Sequence, residues 1–167
     1  MNPCSFEISI DYPLYKSSKG LYFIGETPIL DGKSETALGI LFNPPCSDQL
    51  LYVNAITITN ISDSDLSAEF YLRSNQDYGK ISNLVTCTNT AICPIPIPNG
   101  LVKYVCSPQH SPNGVPIFSR IVPSNSTLVV DGGQIILGQM ESLSVYIGGF
   151  IKAEFEGIRF TFGWSEQ

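Results

Sequence analysis

Leu50-Leu-Tyr-Val-Asn-Ala-Ile-Thr-Ile-Thr59, then Asn60-Ile-Ser-Asp-Ser-Asp65, then Leu66-Ser-Ala-Glu-Phe-Tyr-Leu-Arg73, is the stretch that decides the fold class. The first segment is rich in β-branched and aromatic residues, which suit a pleated, half-buried surface, and Leu50, Tyr52, Ile56 and Ile58 are assigned to one side of it. The middle segment is Asn, Ser and Asp, whose side chains hydrogen-bond the nearby backbone and favour a turn. In the third, Leu66, Ala68, Phe70 and Leu72 face one way while Ser67, Glu69, Tyr71 and Arg73 face the other. A period of two is the signature of a half-buried antiparallel strand. The three segments together predict a hairpin.

The same pattern extends in both directions. Upstream, Phe6, Ile8 and Ile10 alternate with Glu7 and Ser9, and residues 21–24 and 37–42 are short apolar runs bounded by Gly20, Gly25 and Pro44-Pro45. Each reads as a strand. Downstream, residues 74–119 are irregular: Pro94, Pro96 and Pro98 alternate with Ile95 and Ile97, and proline cannot donate to a central ladder, so this segment is expected as a surface strap. Residues 101–106 read as a strand and 107–116, with four Pro and Gly positions, as a loop. Regular β structure returns at 118–122, 127–130, 134–137 and 143–147, with Asp131-Gly-Gly133 expected as a turn. Ile151, Ala153 and Phe155 share one parity and Ile158, Phe160, Phe162 and Trp164 the other, which predicts a β-bulge at Gly157. No stretch carries a helical apolar period over more than about ten residues. The sum is an all-β, antiparallel two-sheet sandwich, jelly-roll-like, with an extended N-terminal segment: residues 1–12 as an arm and 13–167 as the sandwich domain.

Composition narrows the function. The 167 residues are enough for one domain with one core. Only 14% are charged, against roughly 25% in an average soluble domain. Nine basic against fifteen acidic residues give a net charge of −6. That balance excludes a phosphate-neutralising surface, hence nucleic-acid partners, and disfavours anionic membranes. No window reaches the about 18 apolar residues of a spanning helix, so no membrane insertion is expected. The opening Met1-Asn-Pro-Cys-Ser-Phe-Glu-Ile-Ser-Ile-Asp11 has neither the basic region nor the apolar run of a secretory signal, which leaves a cytoplasmic protein or one released by lysis or a specialised route.

Catalytic signatures are missing. His110, the single histidine, lies in the Ser/Pro/Gly loop, and no nucleophile elbow or zinc-binding histidine pair occurs. The expectation is no enzyme, no metal and no cofactor. Asp63 and Asp65 read as solvated turn aspartates, and Asn60-Ile-Ser62 and Asn125-Ser-Thr127 as chance sequons. Tyr12, Tyr15, Tyr22, Tyr71, Tyr78, Tyr104 and Tyr146 could stack on sugars if exposed in one cleft. Cys4, Cys46, Cys87, Cys93 and Cys106 fit no zinc spacing. Their odd number leaves at least one thiol for an intermolecular partner, and Cys4, on the arm, is the obvious one.

Leu41-Phe-Asn-Pro-Pro45, residues 50–64, Thr88-Asn-Thr-Ala91 before the Pro-Ile run, Ser119-Arg-Ile-Val-Pro-Ser-Asn-Ser-Thr-Leu-Val129 and the ending Phe162-Gly-Trp164 together resemble a family of small uncharacterised all-β proteins of spore-forming Gram-positive bacteria. That resemblance implies no activity and no catalytic residues. In design, Met1-Asn-Pro-Cys4 followed by Phe6, Ile8 and Ile10 is also similar to endospore appendage subunits. There, an N-terminal arm docks on neighbouring jelly rolls and disulfides lock the fibre.

The expected function is a self-assembling structural protein, a filament or layer subunit whose partners are copies of itself. Residues 5–12, with Phe6, Ile8 and Ile10, would dock on a neighbour by β-augmentation, and Cys4 would be the inter-subunit thiol. Cys46, Cys87, Cys93 and Cys106 would pair internally or with neighbours, Cys87 with Cys93 being easy if 88–92 forms a loop. Low charge reduces repulsion between copies. The place expected for such an assembly is a cell or spore surface. The alternative is a β-sandwich module that binds carbohydrate or another surface ligand.

Overall fold

In the computed structural model, which describes residues 9–31, 34–74 and 78–167, residues 51–60 and 66–72 are strands, yet they belong to different sheets. A short helix α1 (Tyr12–Ser18) precedes eleven strands: β1 (Tyr22–Glu26), β2 (Ala37–Phe42), β3 (Leu51–Asn60), β4 (Leu66–Leu72), β5 (Lys80–Ile81), β6 (Leu84–Cys87), β7 (Leu101–Cys106), β8 (Val115–Val122), β9 (Ser126–Leu137), β10 (Ser142–Ile147) and β11 (Ile158–Glu166). The first sheet has the order β6-β1-β11-β3-β9 and the second β5-β7-β2-β10-β4-β8. All ladders are antiparallel, and among the described residues none joins strands consecutive in sequence.

The pairing has a simple logic. β1 meets β11, β2 meets β10, β3 meets β9 and β4 meets β8, so the chain is one long antiparallel ribbon doubled back on itself. Successive strands of that ribbon alternate between the sheets, which is the jelly-roll winding. The all-β sandwich expectation holds. The short strands β5, β6 and β7 are inserted at the ribbon's tip and extend both sheets on one side.

The hairpin at residues 60–65 is therefore a correction: the turn is an arch that carries the chain from one sheet to the other. A hairpin would put both apolar faces on one surface, whereas an arch lets β3 and β4 press theirs into a shared interior from opposite sides. Asn60, 1% exposed, holds it there. Its Nδ2 donates to the Ser64, Val122 and Pro123 carbonyls at 2.9, 3.3 and 3.1 Å, and its Oδ1 accepts the Ser62 N–H at 3.0 Å. The arch is thus tied to the neighbouring crossover between β8 and β9.

Three further expectations are corrected. In β3 the buried set is Leu51 and Val53, then Ile56 and Ile58, while Leu50 is exposed and Tyr52 half-buried. The parity switches at Asn54, which both ladders skip. Asp131-Gly-Gly133 is not a turn but the matching bulge inside one strand, β9, where Val53 faces Ile135 and Ala55 faces Asp131. No bulge forms at Gly157: residues 151–154 are irregular, and the strand begins at Ile158.

Between the sheets lie Trp164, Phe70, Phe155, Phe160 and Phe162, all fully buried among aliphatic side chains. Gly39 on β2 sits under the Phe160 ring, where an added Cβ would fall 2.4 Å from ring carbon, so only glycine fits. At one end of the sandwich α1 is clamped to the C-terminal strand. Lys16, 5% exposed, donates to the Glu166 carbonyl (3.3 Å) and to Gln167 Oε1 (2.8 Å). The buried Glu166 carboxylate accepts the Asn99 and Gly100 N–H groups, Asn99 Nδ2 and the Trp164 indole N–H.

Candidate functional site

The arm comes first. Cys4, Phe6 and Ile8 lie outside the described residues. Residues 9–11 belong to neither sheet, and Ile10 is 55% exposed. The sequence missed α1, which starts at Tyr12 with Pro13 in its first turn, a position where the absent N–H costs nothing.

Cys46, Cys93 and Cys106 are exposed free thiols and Cys87 is a buried one. The internal Cys87–Cys93 bridge is not formed: Cys87, 2% exposed, ends β6 with its side chain in the core. The exposed thiols sit at opposite ends. Leu101 pairs with Phe42 and Cys106 with Ala37, so Cys46, just past Phe42, and Cys93, in the segment before Leu101, share the end that carries α1. Cys106 marks the other end.

The open sheet edges differ in protection. β5 and β6 are very short, and β8 carries Pro116 and a register shift at Phe70/Tyr71. Such features discourage uncontrolled edge pairing. β9 is longer, and its residues 126–130 run without proline or lysine up to the bulge, with Val129 68% exposed.

The outer face of the second sheet holds the most elaborate polar arrangement. β2 and β10 are buried at every position, and Leu38, Ile40, Phe42, Tyr71 and Tyr146 form a second apolar cluster there. Residues 107–114 run over it, with Pro108 and Pro112 buried and Pro108 accepting from the Thr36 hydroxyl at 2.9 Å. The Tyr71 hydroxyl donates to Glu69 Oε2 at 2.6 Å and also bonds Ser111. Burial, then the Glu69 carboxylate, push the Tyr71 phenol up to about 12. Burial first, with help from Glu69, raises Tyr146 as well. Alongside, Ser74 bonds the Ser142 and Ser144 hydroxyls at 2.7 and 2.6 Å. Lys103 places its ammonium 4.7 Å from the Phe42 ring centre.

Next to this layer opens a cavity of about 680 Å³ lined by Ser74, Tyr78, Ser107, Gln109, His110 and Asn113 among others. A second, of about 370 Å³, adjoins it and shares Tyr78 and Val105. His110 thus lies on a cavity wall, without a carboxylate or nucleophile in hydrogen-bond contact among the described residues. The seven tyrosines do not converge: Tyr12 and Tyr15 are on α1, Tyr22 is on the first sheet, Tyr71 and Tyr146 are buried, and Tyr78 and Tyr104 border the second cavity. Asp63 and Asp65 stitch two crossovers, accepting from Asn125 Nδ2 and the Ser124 N–H, both at 2.9 Å. Among the described residues no cluster of metal-ligating side chains forms, and no helix is long and apolar enough to cross a membrane.

Sequence reading missed the serine trio and the Glu69–Tyr71 pair. Their signal was present in residues 37–42, an unbroken apolar run, which means burial on both faces and hence a layer above the sheet.

The chain matches, over residues 4–167, the Family of unknown function (DUF6143), and it belongs to that family. No curated protein and no solved structure matches the sequence.

Proposed function

We propose that this member of a family of unknown function is a self-assembling structural subunit of a filament or layer at a cell or spore surface. One observation carries the reading: residues 9–11, ahead of Tyr12, pair with neither sheet and Ile10 is exposed, at the end that also presents Cys46 and Cys93. The same end exposes Leu14 (62%), Ile95 (62%) and Ile97 (88%), an apolar surface suited to a second copy. Residues 5–11, ahead of α1 and carrying Phe6, Ile8 and Ile10, add a strand to a free edge of the neighbour, and residues 126–130 of β9 offer the least protected one. A contact from one end of a subunit to a different surface of the next propagates into an open fibre unless the rotation between copies closes a ring. Thiols of adjacent copies, Cys4 foremost, then join as disulfides, giving up two protons and two electrons to molecular oxygen or a small-molecule disulfide.

Electron microscopy of concentrated protein under oxidising conditions is expected to show polymers. Cys4→Ser leaves the monomer fold intact and yields polymers that dissociate in mild denaturant. If Cys4→Ser polymers resist denaturant as well as wild type, Cys4 is not the lock. A monodisperse monomer under oxidising conditions refutes the assembly itself.

A further inference from the structure

We infer that the paired cavities beside the second sheet form a binding site for a neutral oligosaccharide. The assignment is independent of the assembly reading. It rests on the chemistry of the walls. The larger cavity is bordered by hydroxyls (Ser74, Ser107, Ser111), carboxamides (Gln109, Asn113), one imidazole (His110) and one phenol (Tyr78), with Val105 and Pro108 as its apolar members. Among the described residues no Lys, Arg, Asp or Glu lines it, and the smaller cavity adds a single charged side chain, Lys80. A phosphate or carboxylate ligand would find no counter-charge among the described walls of the larger cavity and one ammonium, Lys80, in the smaller, and a chain of net charge −6 repels it at long range. A lipid would find too few apolar contacts, and a cation no carboxylate there among the described residues. A sugar has what these walls complement: hydroxyls that both donate and accept, and flat C–H faces that lie against an aromatic ring.

The shape agrees. Volumes of about 680 and 370 Å³ fall in the range of small-ligand sites, roughly 300–1,000 Å³. They meet at Tyr78, which is 50% exposed and lines both. A linear saccharide can therefore cross from one cavity to the other over a single ring. The floor is rigid, because Ser74, 2% exposed, is held by Ser142 and Ser144. Preorganised walls reduce the ordering cost of binding.

The test is a titration of the full chain, isotope-labelled for NMR, with maltotriose, cellotriose and tri-N-acetylchitotriose, each to about 20 mM, with inorganic phosphate as the anionic probe. At least one trisaccharide is expected to shift amides at 78–80 and 105–113, and phosphate to leave them unmoved. Tyr78→Ala, at an exposed position, weakens that binding about tenfold or more, Gln109→Ala weakens it less, and Tyr15→Ala on α1 has no effect. The inference is overturned if no trisaccharide moves these amides, if phosphate moves them instead, or if Tyr78→Ala binds as tightly as wild type.

Discussion

The two sheets present opposite outer faces. In the first, β3 and much of β11 alternate between buried and half-buried residues, and Ile24, Leu84, Val129 and Ile136 stand 43–68% exposed. Thr57, Thr59, Thr127 and Thr161 lie between them, with Thr59 and Thr127 bonded at 3.1 Å, and an Arg159–Glu26 ion pair at 3.3 Å closes one corner. In the second, β2 and β10 are buried throughout and a further layer lies on top. Both sheets belong to the same ribbon, so the winding does not explain the difference. The insertion between β4 and β8 does: it adds β5 and β7 to the edge of the second sheet and folds 107–114 over its face. A jelly roll needs one buried layer, and this one has built a second where its cavities are.

The contrast can be broken from the inside outward. Trp164 belongs to the interior that both sheets share, and Trp164→Ala is expected to cost about 4 kcal/mol in urea denaturation, since it leaves a large cavity between them. Tyr146, 6% exposed in the added layer, gives about 2–3 kcal/mol on change to alanine. A value near zero would mean that this layer does not pack as a second core. The Tyr71 phenol sharpens the point through pH. Its folded-state ionisation lies above its unfolded value of 10.0, at about 12, so its contribution is complete below pH 10 and is lost as pH climbs toward 12. Denaturation curves across that window should show stability falling more steeply in wild type than in Tyr71→Phe, with Tyr22 and Tyr146, which burial also raises, contributing to the slope that remains. Equal slopes would contradict the buried Glu69–Tyr71 pair. Thr57→Ala, on the open face, shifts stability by about 0.5 kcal/mol or less, and a larger loss would show that face to be covered.

Much of this was legible as strands and little of it as partners. Period-two alternation located β4, and apolar segments between turn residues located β2, β7 and β10, to within about a residue or two, because side-chain burial is local. Pairing is not local: every ladder joins distant segments, so an Asn/Ser/Asp stretch at 60–65 looks the same whether it closes a hairpin or arches between sheets. Asn60 decides, and two of its three acceptor carbonyls, those of Val122 and Pro123, are visible only once β8 and β9 are in place. The Asn54 bulge was hidden for the same reason, since it exists only against the neighbouring strands β9 and β11. Helix α1 was too short for a periodicity signal, and its anchor Lys16 reads as a surface lysine until Gln167 is opposite it. As for the cavities, no motif marks them: Ser, Gln, Asn and His in a proline-rich loop spell solvent unless a sheet lies beneath.

Sedimentation velocity of the full 18.2 kDa chain beside a form lacking residues 1–8, each with and without reductant, reads the assembly claim directly. The account predicts large, concentration-dependent species for the full chain, stabilised by oxidation, and a folded monomer for the truncated form. Identical behaviour of the two, both monomeric or both polymeric, would contradict it.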